Sequence, residues 1–283
     1  IHKLLKLNPV TNRFVHDSEN PILSDVFIFD ETSMIDVRLA SELLSAIPDE
    51  ACVVWVGDTD QLPSVGAGNV LRDIIDSEVI YSVKLTEIFR QAQNSAIIRN
   101  AHAVNCGRSP ELQNNQNDFF FLRRRGEEAV CQTVTELCAT RLPKNMGIPP
   151  EEIQVLSPTR KGGVGTVALN QMLQSALNPQ APDKKEKAFG DFIFREGDRV
   201  MQIRNNYDIM WKKTDGSMVG TGVFNGDVGT IRSIEPAAET VTVLFDDKEA
   251  EYDFTQLNEL EPAYAMTVHK SQGSGATRSL VKS

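Results

Sequence analysis

Residues 26–36 read Val-Phe-Ile-Phe-Asp-Glu-Thr-Ser-Met-Ile-Asp, a short apolar run that ends in two adjacent carboxylates. Four consecutive apolar residues, Val26 to Phe29, suit a buried parallel strand covered on both faces. Asp30 and Glu31 then fall at its carboxyl end, the edge where open α/β sheets place their ligands. A second apolar run, Cys52–Val56, ends in Gly57-Asp58-Thr59-Asp60-Gln61-Leu62-Pro63. Side by side, two such strands would line one cleft with two acids and an uncharged amide, Gln61. That set suits phosphoryl chemistry: a carboxylate for Mg²⁺, a second acid for the attacking water, an amide for the γ-phosphate. Each loop taken singly has a plainer reading. The first is an acidic helix start capped by Thr32 or Ser33, and the second is a surface turn.

Composition narrows the partners. The 283 residues carry a net charge of −10, so a nucleic-acid partner must be met by a local basic channel. Cys52, Cys106, Cys131 and Cys138 are scattered without a CxxC pair, which predicts neither a zinc site nor a disulfide framework and fits a reduced, cytoplasmic compartment. No apolar stretch reaches the length of a membrane span, and the amino terminus is not a signal peptide. The chain opens on Ile1 without a methionine and reads as a piece of something longer.

Strands and helices alternate through residues 21–106: strands at 26–29 and 52–56, helices at 37–47, 70–75 and 95–104. This is the pattern of a doubly wound parallel sheet. Residues 107–118 are polar and read as a linker. A second α/β unit follows, with strands at 119–122 and 153–156 and helices at 127–140 and 167–177. Short strands at 192–194, 199–204, 227–234, 240–245 and 249–254, punctuated by Gly197, Asn225-Gly226 and Asp246-Asp247, suggest an inserted β-barrel. A last strand spans 263–268.

Asp30-Glu31-Thr32-Ser33-Met34-Ile35-Asp36 and the Gly57–Pro63 segment resemble motifs II and III of superfamily 1 DNA helicases. Leu85-Thr86-Glu87-Ile88-Phe89-Arg90-Gln91, Leu156-Ser157-Pro158-Thr159-Arg160-Lys161-Gly162, Phe224-Asn225-Gly226-Asp227-Val228-Gly229 and Ala265-Met266-Thr267-Val268-His269-Lys270-Ser271-Gln272-Gly273 narrow the resemblance to the RecD-like branch, the exonuclease V α-subunit family. The resemblance implies an α/β chain of two RecA-like P-loop NTPase domains, the first incomplete, with an inserted small SH3-like β-barrel. Residues 1–106 correspond to the partial first motor domain, with a hairpin pin at about 5–20. Residues 107–187 and 255–283 correspond to the second motor domain, and 188–254 to the barrel. The implied activity is an ATP-driven motor, with Mg²⁺, moving 5′ to 3′ on single-stranded DNA and unwinding duplex at junctions in recombination and repair. Subunits of a nuclease–helicase complex are further implied partners.

Position by position, Asp30 resembles the Mg²⁺ ligand, Glu31 the general base and Gln61 the γ-phosphate sensor. Arg90 resembles the arginine that reaches the γ-phosphate, a role suited to a permanently charged fork. Gln272 and Gly273 resemble further nucleotide contacts. Pro63, Arg160, Thr267 and His269 fall where the family holds DNA. Trp211 beside Lys212 and Lys213 offers a stacking face and charge for a strand, or the indole packs against the barrel. The run Arg123–Arg125 reads as a solvated strand end.

No GxxxxGK[ST] occurs in the 283 residues, nor does a motif VI arginine segment, so the phosphate loop is expected before Ile1. The tail after Ser274 has no usable pattern. The chain alone is expected to turn over little or no ATP. Two other readings stay open: a non-catalytic DNA-binding or scaffold subunit, and the helicase half of a conjugative relaxase.

Overall fold

The computed structural model describes residues 1–2, 4–8, 11, 13–85, 94–113, 118–272 and 279–281. They divide into two units, Ile1–Leu122 and Arg123–Ser283. In the first, a small antiparallel hairpin, β1 (Leu7–Asn8) against β2 (Arg13–Phe14), precedes two parallel strands. These are β3 (Val26–Phe29) and β4 (Cys52–Trp55), paired from Val26↔Cys52 to Phe29↔Trp55. Helix α1 (Val37–Ser45) crosses between them, and its amino end is capped by Asp36, whose carboxylate accepts from the Leu39 amide at 2.7 Å. The cap is therefore Asp36 and not Thr32 or Ser33. Phe27 and Phe29 pack with Leu43, Ala46, Ile47 and Leu5. Helices α2 (Val70–Asp76) and α3 (Ala96–Asn105) follow.

Cover on both faces of β3 is not what the structure has. Phe27 and Phe29 are buried, but Val26 is 54 % and Ile28 68 % exposed. Only the α1 face is sealed among the described residues, and a pair of strands is too narrow to bury both sides. Residues 119–122 do not form the expected strand. Phe120 and Leu122 are exposed while Phe119 and Phe121 are partly buried, a strand-like alternation. A ladder also needs a neighbouring backbone, which no local pattern supplies.

The second unit starts with α4 (Glu127–Glu136), which runs through a π-turn at Leu137–Arg141 into α5 (Leu142–Met146). Strand β5 (Gln154–Ser157) is buried along its whole length and leads to α6 (Thr166–Leu177). A hairpin of β6 (Glu186–Phe189) and β7 (Phe192–Arg195) follows. Then come β8 (Arg199–Gln202), β9 (Asn206–Lys213), β10 (Val219–Val223), β11 (Val228–Glu235), β12 (Thr240–Phe245), β13 (Lys248–Asp253) and β14 (Leu260–Pro262). Strand β15 (Ala265–Thr267), helical turn α7 (Val268–Ser271) and β16 (Ser279–Val281) complete the unit. Strands β15, β5 and β16 form a parallel sheet with β5 in the centre, which explains why β5 is buried on both faces.

Strands β8 to β14 form one antiparallel sheet, ordered β10-β9-β13-β12-β11-β8-β14. Its core joins Val200, Ile231, Ile234, Val241, Val243 and Tyr252. The pairings run as an open ladder among the described residues, so a closed barrel is not shown. Strands β6, β9, β10, β14 and β16 are additional to those expected. The β9–β10 hairpin carried a readable signal in its Asp215-Gly216 turn.

Asp198, in the turn between β7 and β8, is 1 % exposed. Its carboxylate accepts from Gln174 Nε2 at 2.5 Å, Asn178 Nδ2 at 2.7 Å, the Arg195 amide at 2.7 Å and Tyr264 Oη at 3.0 Å. One buried side chain thus ties α6 and the approach to β15 to the antiparallel sheet.

Candidate functional site

The carboxyl ends of β3 and β4 are locked together by Thr32. Its amide and its hydroxyl both donate to the Val56 carbonyl, at 3.0 and 2.9 Å. Gly57 permits this approach: a Cβ there would sit 2.6 Å from Thr32 Oγ1 and 2.8 Å from Leu71 Cδ2. Farther on, the Val37 amide donates to the Ala67 carbonyl at 3.0 Å. The loop after β4 is therefore folded down onto the segment after β3.

Asp30, Glu31, Gln61 and Pro63 are all exposed at this edge. Asp30 Oδ1 accepts from the Glu31 amide at 2.8 Å. Glu31 holds a left-handed backbone, φ 55° and ψ 40°, which costs a non-glycine residue about 1 kcal/mol or more. The Gln61 amide donates to the Asp58 carbonyl at 3.2 Å, and Asp58 Oδ1 accepts from the Asp60 amide at 2.9 Å, so the Gln61 turn is closed on itself. Arg90 and Gly273 lie outside the described residues. No cluster of three or more metal-ligating side chains occurs among the described residues. A carboxylate oxygen of Asp30 fits Mg²⁺ only as a small part of its shell, with phosphate oxygens and water supplying the rest.

A second group of expected residues gathers at the carboxyl ends of β5 and β15, where Ser157 pairs with Thr267. Arg160 is exposed in the loop after β5. Thr267 caps α7, its hydroxyl accepting from the Lys270 amide at 3.3 Å, and His269 is exposed. Gln272 follows that turn, partly buried. Glu261, on β14, reaches both loops: Oε1 lies 2.9 Å from Arg160 and Oε2 lies 2.7 Å from Lys270. Lys270 stood within a recognisable segment, but no local signal marked Glu261. The cleft these groups line measures about 30 Å³, room for a water or two and no more.

Of the two readings of Trp211, the structure shows the packing one. The indole lies over Gly220, its cross-strand partner, where a Cβ would collide with the ring, and the Lys248 ammonium sits 4.8 Å from the ring centre. Lys212 pairs with Glu249 at 3.7 Å and Lys213 with Asp247 at 2.8 Å. Sheet packing and local ion pairs account for all three side chains. Arg123–Arg125 are exposed, as read, but end no strand.

Comparison with known proteins adds to this geometry. A family model described as an AAA domain matches residues 1–127, and one described as the ATP-dependent RecD-like DNA helicase SH3 domain matches residues 169–245. The chain is 34 % identical over 275 residues to the ATP-dependent RecD2 DNA helicase of Deinococcus radiodurans, covering 97 % of this chain and 34 % of that protein. It is 26 % identical over 300 residues to the RecBCD enzyme subunit RecD of Mycolicibacterium smegmatis, covering 98 % of this chain and 48 % of that one. The chain thus spans between a third and a half of the length of these curated relatives. A structure of Bacteroides Pif1 helicase with ADP-AlF3 and ssDNA aligns over 99 % of this chain and 71 % of its own, with a TM-score of 0.49 and 16 % identity. The two family matches and the alignments to RecD2 and RecD make this chain similar to RecD-like DNA helicases over nearly its whole length.

Proposed function

We propose that these residues are part of an ATP-dependent DNA helicase that moves 5′ to 3′ on single-stranded DNA and unwinds duplex in recombination and repair. The observation that carries the reading is the Thr32–Val56 lock, which brings the Asp30-Glu31 pair and the Gln61 turn to one sheet edge. Asp30 holds Mg²⁺, which supplies neutralising charge for phosphate oxygens when bound. Glu31 takes the proton of the attacking water, and Gln61 hydrogen-bonds the γ-phosphate. Arg90, Gln272 and Gly273 complete the nucleotide contacts. Pro63, Arg160, Thr267 and His269 hold the DNA backbone. Residues 1–106 make a partial RecA-like motor domain with a pin at about 5–20, and 107–187 with 255–283 make a second. Residues 188–254 make an SH3-like barrel inserted in it, a reading supported by the SH3-domain match over 169–245. The protein works in the cytoplasm, on single-stranded DNA and junctions, alone or with nuclease–helicase subunits.

Fluorescence anisotropy with labelled oligonucleotides tests the reading. The 283-residue chain is expected to bind single strands without base preference, its log affinity falling with log salt by about 0.7 per phosphate neutralised. No binding at low salt would sink it. Phosphate release is expected to stay near background, because the chain holds no GxxxxGK[ST] to cradle the phosphates. Robust turnover by the purified chain would show that the missing loop is dispensable.

A further inference from the structure

We infer that Glu261 is a positioning residue that sets Arg160 and Lys270 side by side as a single two-cation grip for a phosphodiester backbone. The inference rests on the single-stranded-DNA reading above, in which Arg160 alone of the three had a place.

The two cations come from different loops. Arg160 follows β5 and Lys270 follows β15, adjacent parallel strands whose carboxyl ends meet at Ser157↔Thr267. Left to themselves, two like charges on neighbouring loops would spread apart. The Glu261 carboxylate prevents this by giving one oxygen to each, at 2.9 and 2.7 Å. Glu261 is well placed to act as the fixed member, because its side chain is 18 % exposed against 57 % for Arg160 and 35 % for Lys270. Its backbone is held in the ladder, with Leu260↔Gln202 and Pro262↔Val200 on either side.

Each cation spends only part of its hydrogen-bonding capacity on Glu261. The rest of the guanidinium fork and of the ammonium remains for phosphate oxygens. Pre-setting two long side chains lowers the entropy lost when they close on a ligand. The cleft between them is too small for a nucleotide, about 30 Å³, so the backbone would rest on its rim. Glu261 also belongs to the antiparallel sheet, which gives that sheet a direct hold on the grip.

Glu261→Gln separates positioning from simple charge. The substitution removes a negative charge, so bulk electrostatics alone gives tighter DNA binding. Positioning gives the opposite: about five-fold weaker binding of single-stranded DNA and a salt slope shallower by about 0.7, one phosphate contact. In an R160A/K270A background, E261Q should then change nothing. Affinity that is unchanged or tighter in E261Q overturns the inference, and so does a loss that persists without the two cations. Circular dichroism melting accompanies each variant. Should E261Q fail to fold, R160A and K270A decide: a double variant no weaker than the worse single one supports a joint grip, and additive losses overturn it. A wild-type chain that ignores single-stranded DNA defeats the underlying reading, whereas normal wild-type binding with an indifferent E261Q defeats only the role of Glu261.

Discussion

Asp198→Asn is expected to destabilise the second unit by about 3 kcal/mol, among the larger losses a single substitution causes. The carboxylate accepts from Gln174, Asn178, the Arg195 amide and Tyr264. An amide keeps one accepting oxygen and turns an NH₂ group toward donors of which only the Tyr264 hydroxyl can accept in turn. Because the side chain is buried, bulk water does not reach it to repair the loss. Urea unfolding would measure it. Trp55 lies in the first unit and Trp211 in the second, so a Trp55→Phe background lets Trp211 fluorescence report the second unit alone. A loss below about 1 kcal/mol would mean that the hub is dispensable.

The same residue predicts a pH dependence. Burial pushes the Asp198 carboxyl above its ordinary value, outweighing the four donors that pull it down. A carboxyl with a raised folded pKa contributes stability that is fully present below the unfolded value of about 4. That contribution is lost as pH rises through the folded value. The deficit of D198N relative to the parent should therefore widen on acidification from neutral pH, and a deficit that narrows would contradict this sign.

Gly165→Ala should cost about 2–3 kcal/mol and weaken DNA binding with it. The reason is space, since φ at Gly165 is an ordinary −73°. A Cβ there would stand 2.5 Å from the carbonyl oxygens of both Arg160 and Lys161, backbone atoms that cannot rotate away. The loop has little slack, because the Ser157 hydroxyl donates to the Val164 carbonyl at 2.9 Å and the Thr166 amide to the Thr159 carbonyl at 3.0 Å. Relief must come from moving residues 160–161, which would pull Arg160 off Glu261. Gly163→Ala is the control: the tight contacts of its Cβ would be with the carboxylate end of Glu127, an exposed side chain that can swing aside. Equal melting temperatures for G163A and G165A would refute the argument.

Much of the fold was legible where the cause is local. Helix α6 starts and ends within a residue of its reading, because its apolar spacing spans several turns. The β12–β13 pair follows from alternation and the Asp246-Asp247 turn. Residues 119–122 misled for the converse reason: alternation shows that a segment suits a strand, not that a neighbour will pair with it. The β9–β10 hairpin is hard to read although Asp215-Gly216 marks its turn, because Asn206, Tyr207 and Asp208 dilute the apolar pattern at its start.

The candidate site divides along the same line. Asp30-Glu31 at a strand end and the Gly57–Pro63 loop are readable from a dozen residues each, since apolar runs and turn chemistry act between near neighbours. Whether those loops meet was decided by one buried hydroxyl, Thr32, finding the carbonyl of Val56. The tertiary structure likewise placed Glu261 between Arg160 and Lys270, and laid Trp211 on Gly220, where it serves the sheet. Charges, donors and rings choose partners by distance in space, and chain order carries almost no record of that distance. The sequence by itself determined which groups stand at the strand ends, and only the folded chain decided which of them act together.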